Sequence, residues 1–416
     1  MRLRSLTWPS LPAIGSSWAV VAAAAAILLV TMGTRQTIGL FIAPLDSATG
    51  LGIVSISLAV AIGQFVWGAA QPVFGAFADR FGAARVIAVG GLMLAAGTAA
   101  TPFAHSEAAL IATIGFISAF GAGAGSLSIL IGATMRRLPS DRRSSAAGVI
   151  NAGGSLGQFV FAPLVQAAIL TVGWVGAMLG VAAATLLTLP LALLMRRPTA
   201  APSASSTALP ASVLGLTLVE QLRLAATKRD YWLLSLGFFT CGFHVAFLVT
   251  HLPSEVRLCG LSPVISANSL AIIGLANVLG SLGAGWLGTR CRLKHLLFWV
   301  YLGRAAAILG YMMSPKTALT FYVFAAALGV TFLATIPPTT GLVGKLFGLR
   351  YIATLIGLTM LAHQLGAFYG AWLGGIVVAH FGDYAWMWYA DAALASLAAF
   401  INLPIHEAPV MRVVTA

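Results

Sequence analysis

Apolar residues in this chain come in long, nearly unbroken runs, not in the alternation of a half-buried strand. A hydrocarbon layer about 30 Å thick is crossed by roughly 20 mostly apolar residues in a helix. Twelve runs of that size can be laid out, at 18–44, 53–78, 84–104, 108–135, 145–172, 174–195, 231–252, 263–288, 293–313, 317–344, 351–380 and 384–403. The pattern predicts an all-α membrane protein of twelve transmembrane helices, and no run requires a strand. Between Arg196 and about Asp230 the pattern breaks, and Pro198, Pro202, Ser203, Ser205, Ser206 and Pro210 predict a flexible, solvated connection. The expected division is an N-terminal six-helix bundle (1–195), a cytoplasmic linker (196–230) and a C-terminal six-helix bundle (231–416). Within the linker, Val213 to Leu224 has helical periodicity and reads as a linker helix, soluble or lying on the membrane surface.

The halves repeat one another. At an offset of 209 residues, Gly33 and Pro44 fall on Gly242 and Pro253, and Gly148, Leu156, Gly157, Phe159, Ala162 and Leu164 fall on Gly357, Leu365, Gly366, Phe368, Ala371 and Leu373. At an offset of 210, Gly75 and Arg80 fall on Gly285 and Arg290. Chance glycine matches are easy in a chain with 45 glycines, but a constant offset across three regions is not. The repeat predicts two pseudo-symmetric bundles with a site between them.

Only 8% of residues are charged, against about 25% in ordinary soluble domains. Basic residues outnumber acidic ones 23 to 10, yet they are scattered through the loops and not gathered on one soluble face, which excludes a nucleic-acid partner. With the N-terminus placed in the cytoplasm, 19 of the 23 fall on the cytoplasmic side and only Arg257 and Lys316 outside. Both termini are therefore expected in the cytoplasm and the chain in the cytoplasmic membrane. Arg2 and Arg4 before an alanine-rich run resemble a signal peptide, but the run is long and reads as an uncleaved first helix. Cys241, Cys259 and Cys291 have no metal-binding spacing and read as packing residues, and no cofactor or metal is expected.

The loop after the second helix reads Gly75-Ala-Phe-Ala-Asp79-Arg80-Phe-Gly82-Ala-Ala-Arg85, which resembles the signature of the major facilitator superfamily between its second and third helices. The resemblance covers the whole chain and implies the major facilitator fold. It also implies a gate in which Gly75, Asp79, Arg80 and Arg85 latch the cytoplasmic ends. The second copy, Gly285-Trp-Leu-Gly-Thr289-Arg290, has lost the acidic residue, so its latch is expected to be weaker. The stretches Arg35 to Pro44 and His363-Gln-Leu-Gly-Ala-Phe resemble the monocarboxylate-transporter-like bacterial group. One position departs: related carboxylate carriers place an arginine four residues after an asparagine in the eighth helix, and Asn277 is followed at that spacing by Ser281.

Charges retained inside a bilayer cost about 2.5–3.5 kcal/mol each on insertion scales and so mark function. They are Arg35, His244, Arg304, His363 and Asp391. In the superfamily fold the first, fourth, seventh and tenth helices line the central cavity. The resemblance thus sets Arg35 and His244, 209 residues apart, facing each other across it, where arginine can fork onto a carboxylate and histidine can carry a proton. His363 is a second proton candidate. Arg304 reads as a structural ion pair or a surface residue, Asp391 as near the outer interface, and His251 as interfacial. Gln64 and Gln71 share a face of the second helix, and Asn277 is expected to meet the same cavity. In the tenth segment Pro337 and Pro338 predict a break repaired by hydroxyls such as Thr335. Gly121, Gly123 and Gly125 lie in a hydrophobic run and predict close helix contact, not a nucleotide loop.

These features favour a secondary active transporter, either a uniporter or a carrier coupled to protons, working as a monomer on a small-molecule substrate, an organic anion such as a monocarboxylate. Efflux of an amphipathic compound is the alternative within transport. A membrane-embedded enzyme, which would need catalytic groups the sequence does not supply at depth, and a nontransporting receptor are the alternatives outside it.

Overall fold

Inside hydrocarbon a backbone must satisfy its own hydrogen bonds, so each apolar run closes into helix. The computed structural model describes residues 17–135, 137–138, 143–196, 217–348 and 351–408, and all regular structure among them is helical. Arg2, Arg4, Arg136, Arg142, Arg197, Arg350, Arg412, most of the central linker and the side chain of Asp79 lie outside the described residues.

Among the described residues, ten stretches are long and apolar enough to cross a membrane. One, Ala146–Leu194, has 49 residues, which at 1.5 Å per residue is about 74 Å and too long for one crossing. It turns at Gly173, whose φ of 77° suits a residue without Cβ, and so supplies the fifth and sixth segments where the sequence places them. The others are Ser17–Gln36 continued by Gly39–Thr49 (first), Gly52–Phe81 (second), Ala83–Ala100 (third) and the stretch from Glu107–Leu110 to Leu127–Met135 (fourth). Arg229–Leu258 (seventh), Pro263–Gly288 (eighth), Leu293–Met313 (ninth), Ala318–Thr331 with Ile336–Phe347 (tenth) and Ile352–Phe381 (eleventh) complete the ten, and the helix Ala385–Asn402, outside them, supplies the twelfth segment. Odd-numbered segments start from the end that carries the central linker, the linker end; even-numbered ones start from the far end.

Close packing follows the repeat. A Cβ on Gly157 would overlap the Leu29 carbonyl, and one on Gly33 would come 2.5 Å from the Phe161 ring, so the first and fifth segments meet backbone to backbone. Gly242 and Gly366, their counterparts 209 residues on, hold the seventh and eleventh together in the same way, against His363 O and Phe239 O. Without a hydrophobic drive between helices in lipid, such contact is the main source of cohesion.

Between the bundles, the second segment packs on the eleventh and the fifth on the eighth. Gly68 seats the Gln364 side chain, and Gly274 lies against Ser155 and Phe159. Asn277 Nδ2 donates to Ser155 Oγ at 2.9 Å in the same layer. At the far end Gly39 abuts the Val249 carbonyl, and a Cβ on Gly375 would sit 2.5 Å from Ser57 Oγ. Toward the linker end, Gly75, Gly148, Gly285 and Gly357 have nothing within 4 Å of an added Cβ among the described residues. The bundles therefore meet at mid-depth and at the far end, and among the described residues these four glycines make no such contact at the linker end.

The linker helix, Leu218–Thr227, starts with a reciprocal Thr217–Glu220 capping box and docks by Gln221, whose amide donates to Phe347 O at 2.8 Å. Nearby, Glu407 accepts from Lys294 N–H at 2.8 Å and from Lys345 Nζ at 3.0 Å, tying the chain after the twelfth segment to the ninth and tenth. Partial burial pushes the Glu407 carboxyl up, but the Lys294 N–H and the two lysine charges outweigh it and hold it below the usual glutamate value. A depressed folded-state pKa stabilises above the unfolded value and loses that contribution as pH falls through the folded one. Glu407→Gln is therefore expected to lower thermal stability slightly at neutral pH, by about 1 kcal/mol or less, and to match the parent in acid; melting curves at two pH values check this.

Candidate functional site

The first segment breaks just after Gln36, where the Thr37 hydroxyl turns back to Gly33 O at 2.9 Å. Arg35 thus occupies the last turn of a helix, the end whose carbonyl dipoles favour a cation. Its Nη2 donates to Gln64 Oε1 at 2.5 Å, and its guanidinium carbon stands 3.9 Å over the Trp67 ring. Gln64 and Trp67, three residues apart on the second segment, present one face to it. The Trp67 indole N–H is buried and has no acceptor among the described residues. Together these groups hold a planar cation by an amide on its edge and an aromatic ring on its face, which suits recognition of a planar anion.

Arg35 and Gln64 line a half-open cavity within the N-terminal bundle. Thr34, Thr98, Thr101 and Ser118 give it hydroxyls, and Phe41, Leu94, Ile114 and Met178 give it apolar wall. Ile114 and Ser118 belong to a π-helical stretch of the fourth segment, Ile111–Ser118, a wide turn that recurs at functional sites. A pocket with few fixed polar groups and mostly apolar wall fits a small organic solute.

His244 does not face Arg35. The two hold equivalent positions along their helices, but His244 is turned into the C-terminal bundle, with no exposure, and its Nδ1 lies 2.5 Å from Asp391 Oδ2 of the twelfth segment. Arg304 is also fully buried, which corrects the surface reading. Its Nη2 donates to the Thr331 and Phe332 carbonyls at 2.5 and 3.0 Å, at the break in the tenth segment. That break lies where Pro337 and Pro338 remove backbone donors. Thr335 is fully buried in it, with its hydroxyl 3.2 Å from Cys241 Sγ. Cys241 therefore does more than fill space. His363 stacks at 4.8 Å on Phe238, is only 7% exposed, and reaches Cys241 from the eleventh segment. The structure thus gathers His244, Thr335 and His363 around Cys241 and Arg304, away from Arg35 and Gln64.

Asn277 joins neither group. It is 1% exposed in the seam between the fifth and eighth segments, also accepting from Leu333 N–H at 3.0 Å. Gln71 accepts from Ser128 instead of sharing a cavity with Gln64. His251 is fully buried, between Tyr384 OH at 3.0 Å and Ala371 O at 2.7 Å, so it is internal and not interfacial. Of the gate residues, Gly75 has nothing within 4 Å of an added Cβ among the described residues, Arg80 stands 5.3 Å over Phe81 and Arg290 4.0 Å over Trp286, each on its own helix. Gly121 and Gly123 do serve helix contact, against Leu94 N and Ala70.

Comparison with known proteins meets this geometry from outside. The profile of the Major Facilitator Superfamily matches residues 23–371. The chain belongs to this superfamily. It is therefore a multi-pass membrane transporter and not an enzyme. Among similar chains, monocarboxylate transporter 13 of Rattus norvegicus is 26% identical over 395 residues, covering 94% of this chain and 89% of that one. The oxalate:formate antiporter of Oxalobacter formigenes is 25% identical over 401 residues, covering 93% and 90%. In fold, a bacterial homologue of the human lysosomal transporter Spinster, in an inward-facing and unoccupied conformation, has a TM-score of 0.72 at 17% identity, covering 95% of each chain. A D-xylose-proton symporter has a TM-score of 0.73 at 15% identity, covering 93% of this chain and 97% of that one.

Four participants escape a reading of the superfamily chain by sequence. Trp67 has a signal, its spacing of three from Gln64. Ser155 has one too, since 209 residues on it becomes Gln364, the residue that fills the equivalent seam. The pairing of His244 with Asp391 and the carbonyl role of Arg304 have none, because they join segments far apart in the chain.

Proposed function

We propose that this transporter moves a small organic anion, of monocarboxylate type, across the cytoplasmic membrane by alternating access. In this reading it works as a monomer with residues 1–195 and 231–416 as its moving units and both termini in the cytoplasm. Protons are the coupling ion, carried by the histidines of the C-terminal half, His244 and His363. Arg35 carries the reading: a guanidinium held between Gln64 and Trp67 at the wall of a cavity is arranged for a carboxylate. Monocarboxylate transport and oxalate:formate exchange, the functions for which the relatives are named, support the same substrate class. The four linker-end glycines, without such contacts among the described residues, support alternating access, since an opening there must close for the other face to open.

The test is uptake of labelled organic acids into proteoliposomes with and without a pH gradient. Accumulation of a monocarboxylate that follows the gradient supports the proposal; transport only of amphipathic cations or neutral compounds would replace it with efflux. The gate is tested separately. Asp79→Asn is expected to cut transport several-fold at near-normal membrane abundance, and Thr289→Asn to have much less effect. Equal losses would remove the proposed asymmetry between the two copies.

A further inference from the structure

Both bundles break a helix at the same level of the repeat, but they close the break differently. In the fourth segment the turn at Gly125 and Ser126 is met by a neutral donor, Thr31 Oγ1 to Gly125 O at 3.1 Å. In the tenth, the Thr331 and Phe332 carbonyls are met by the charged Arg304. Segments three and six, the counterparts of nine and twelve, contain no ionisable residue beyond Arg85 in the first turn of the third. The charge is therefore particular to the second break.

Four polar atoms of this cluster are buried without a partner among the described residues: Arg304 Nε and Nη1, His244 Nε2 and Asp391 Oδ1. Every residue involved has zero exposure. A buried unpartnered charge costs several kcal/mol in a protein interior, so such groups are kept for a purpose or bridged by internal water. The neighbouring titratable groups are Cys241 on the seventh segment, Tyr301 on the ninth, whose hydroxyl is spent on Gly237 O at 2.6 Å, and His363 on the eleventh. The tenth contributes the Thr335 hydroxyl and the two carbonyls.

We infer that the His244–Asp391 pair is a proton site whose charge is transmitted by Arg304 to the break in the tenth segment. This rests on the transporter reading above but not on its substrate class. Without the extra proton, the pair carries one net negative charge, which draws the free Nε and Nη1 of Arg304. When a proton from solution is taken onto the pair, that charge is neutralised while the guanidinium remains charged. Arg304 then holds the Thr331 and Phe332 carbonyls more tightly and the break stiffens; loss of the proton loosens it. His244 already lies beside the break, with its ring 6.5 Å from that of Phe332. Arg304 is a positioning residue in this scheme, and His244 with Asp391 are the groups that hold the proton.

The test needs no substrate. Purified full-length protein, with Cys259 and Cys291 replaced by serine, carries spin labels at Leu319→Cys and Lys345→Cys, one on each side of the break, in lipid vesicles. The distance between labels is expected to shift with pH as one proton binds. His244→Gln and Asp391→Asn should each abolish the shift, and Arg304→Lys, which keeps the charge but loses the fork, should reduce it. No shift in the parent, or an undiminished shift in His244→Gln or Asp391→Asn, would overturn the inference. Should those variants not fold, nitrogen NMR of histidine-labelled parent decides. A buried imidazole that titrates at the midpoint of the distance change and persists in both His251→Gln and His363→Gln supports the inference, and the absence of one overturns it. Failure of organic-anion transport would leave every one of these outcomes unaffected.

Discussion

Arg35→Gln is expected to reduce transport of the organic-anion substrate to near background, at normal abundance and normal melting temperature. Among the described residues the guanidinium's hydrogen bond goes to Gln64 and its ring contact to Trp67, both on one neighbouring helix, so glutamine leaves no buried carboxylate there unpaired and the fold keeps its helix contacts. The substrate has no such shelter. A carboxylate brought into the cavity beside glutamine keeps its desolvation cost and loses its counter-charge, a loss of about 3–5 kcal/mol for a broken buried pair. That corresponds to roughly a hundred- to several-thousandfold in affinity, since about 1.4 kcal/mol is tenfold. Arg35→Lys keeps the charge without the two-pronged donor geometry and the flat face for Trp67, so its defect should be intermediate, about tenfold. The measurement is initial uptake into proteoliposomes against substrate concentration. Normal uptake by Arg35→Gln would make Arg35 a structural residue and leave the organic-anion reading without its anchor.

The way Arg35 and His244 part company shows where sequence reading stops in this fold. The twelve segments, the turn at Gly173 and the break before Pro337 are written locally, in run lengths, in a glycine and in two prolines that remove backbone donors. The repeat is legible as well, and its register is physical: Gly33 with Gly157 and Gly242 with Gly366 make the same helix contact in each half. Register fixes depth along a helix but not the direction a side chain takes. A membrane helix is apolar on its lipid face and on its protein face alike, so periodicity gives little signal for rotation. Arg35 turns to the second segment and His244 to the twelfth, and no local pattern announces a partner 147 residues away. Cys241 was legible as buried but not as a neighbour of Arg304, for the same reason.

Register also gives the other large effect, because it says what must meet when the linker end closes. Along the second and eleventh segments, Ser57 faces Gly375 and Gly68 faces Gln364. Two turns further toward the linker end on each helix, the same faces bring Gly75 opposite Gly357, and neither has a described atom within 4 Å of an added Cβ. The fifth and eighth segments repeat this, with Ser155 on Asn277 at mid-depth and Gly148 and Gly285 unoccupied beyond it. Four glycines at the open ends of two equivalent seams leave room for backbones to approach when the bundles rock together. Gly357→Phe and Gly148→Phe should therefore fold as the parent does: each ring enters open space here, and phenylalanine is no worse than glycine inside a helix. Transport should nonetheless fall to background, because a ring in the seam holds the linker end apart. Gly375→Phe should do the opposite, destabilising this conformation, since even a Cβ there sits 2.5 Å from Ser57 Oγ. Paired melting curves and uptake assays check both directions. Wild-type uptake by Gly357→Phe and Gly148→Phe would show that the bundles do not close along these faces.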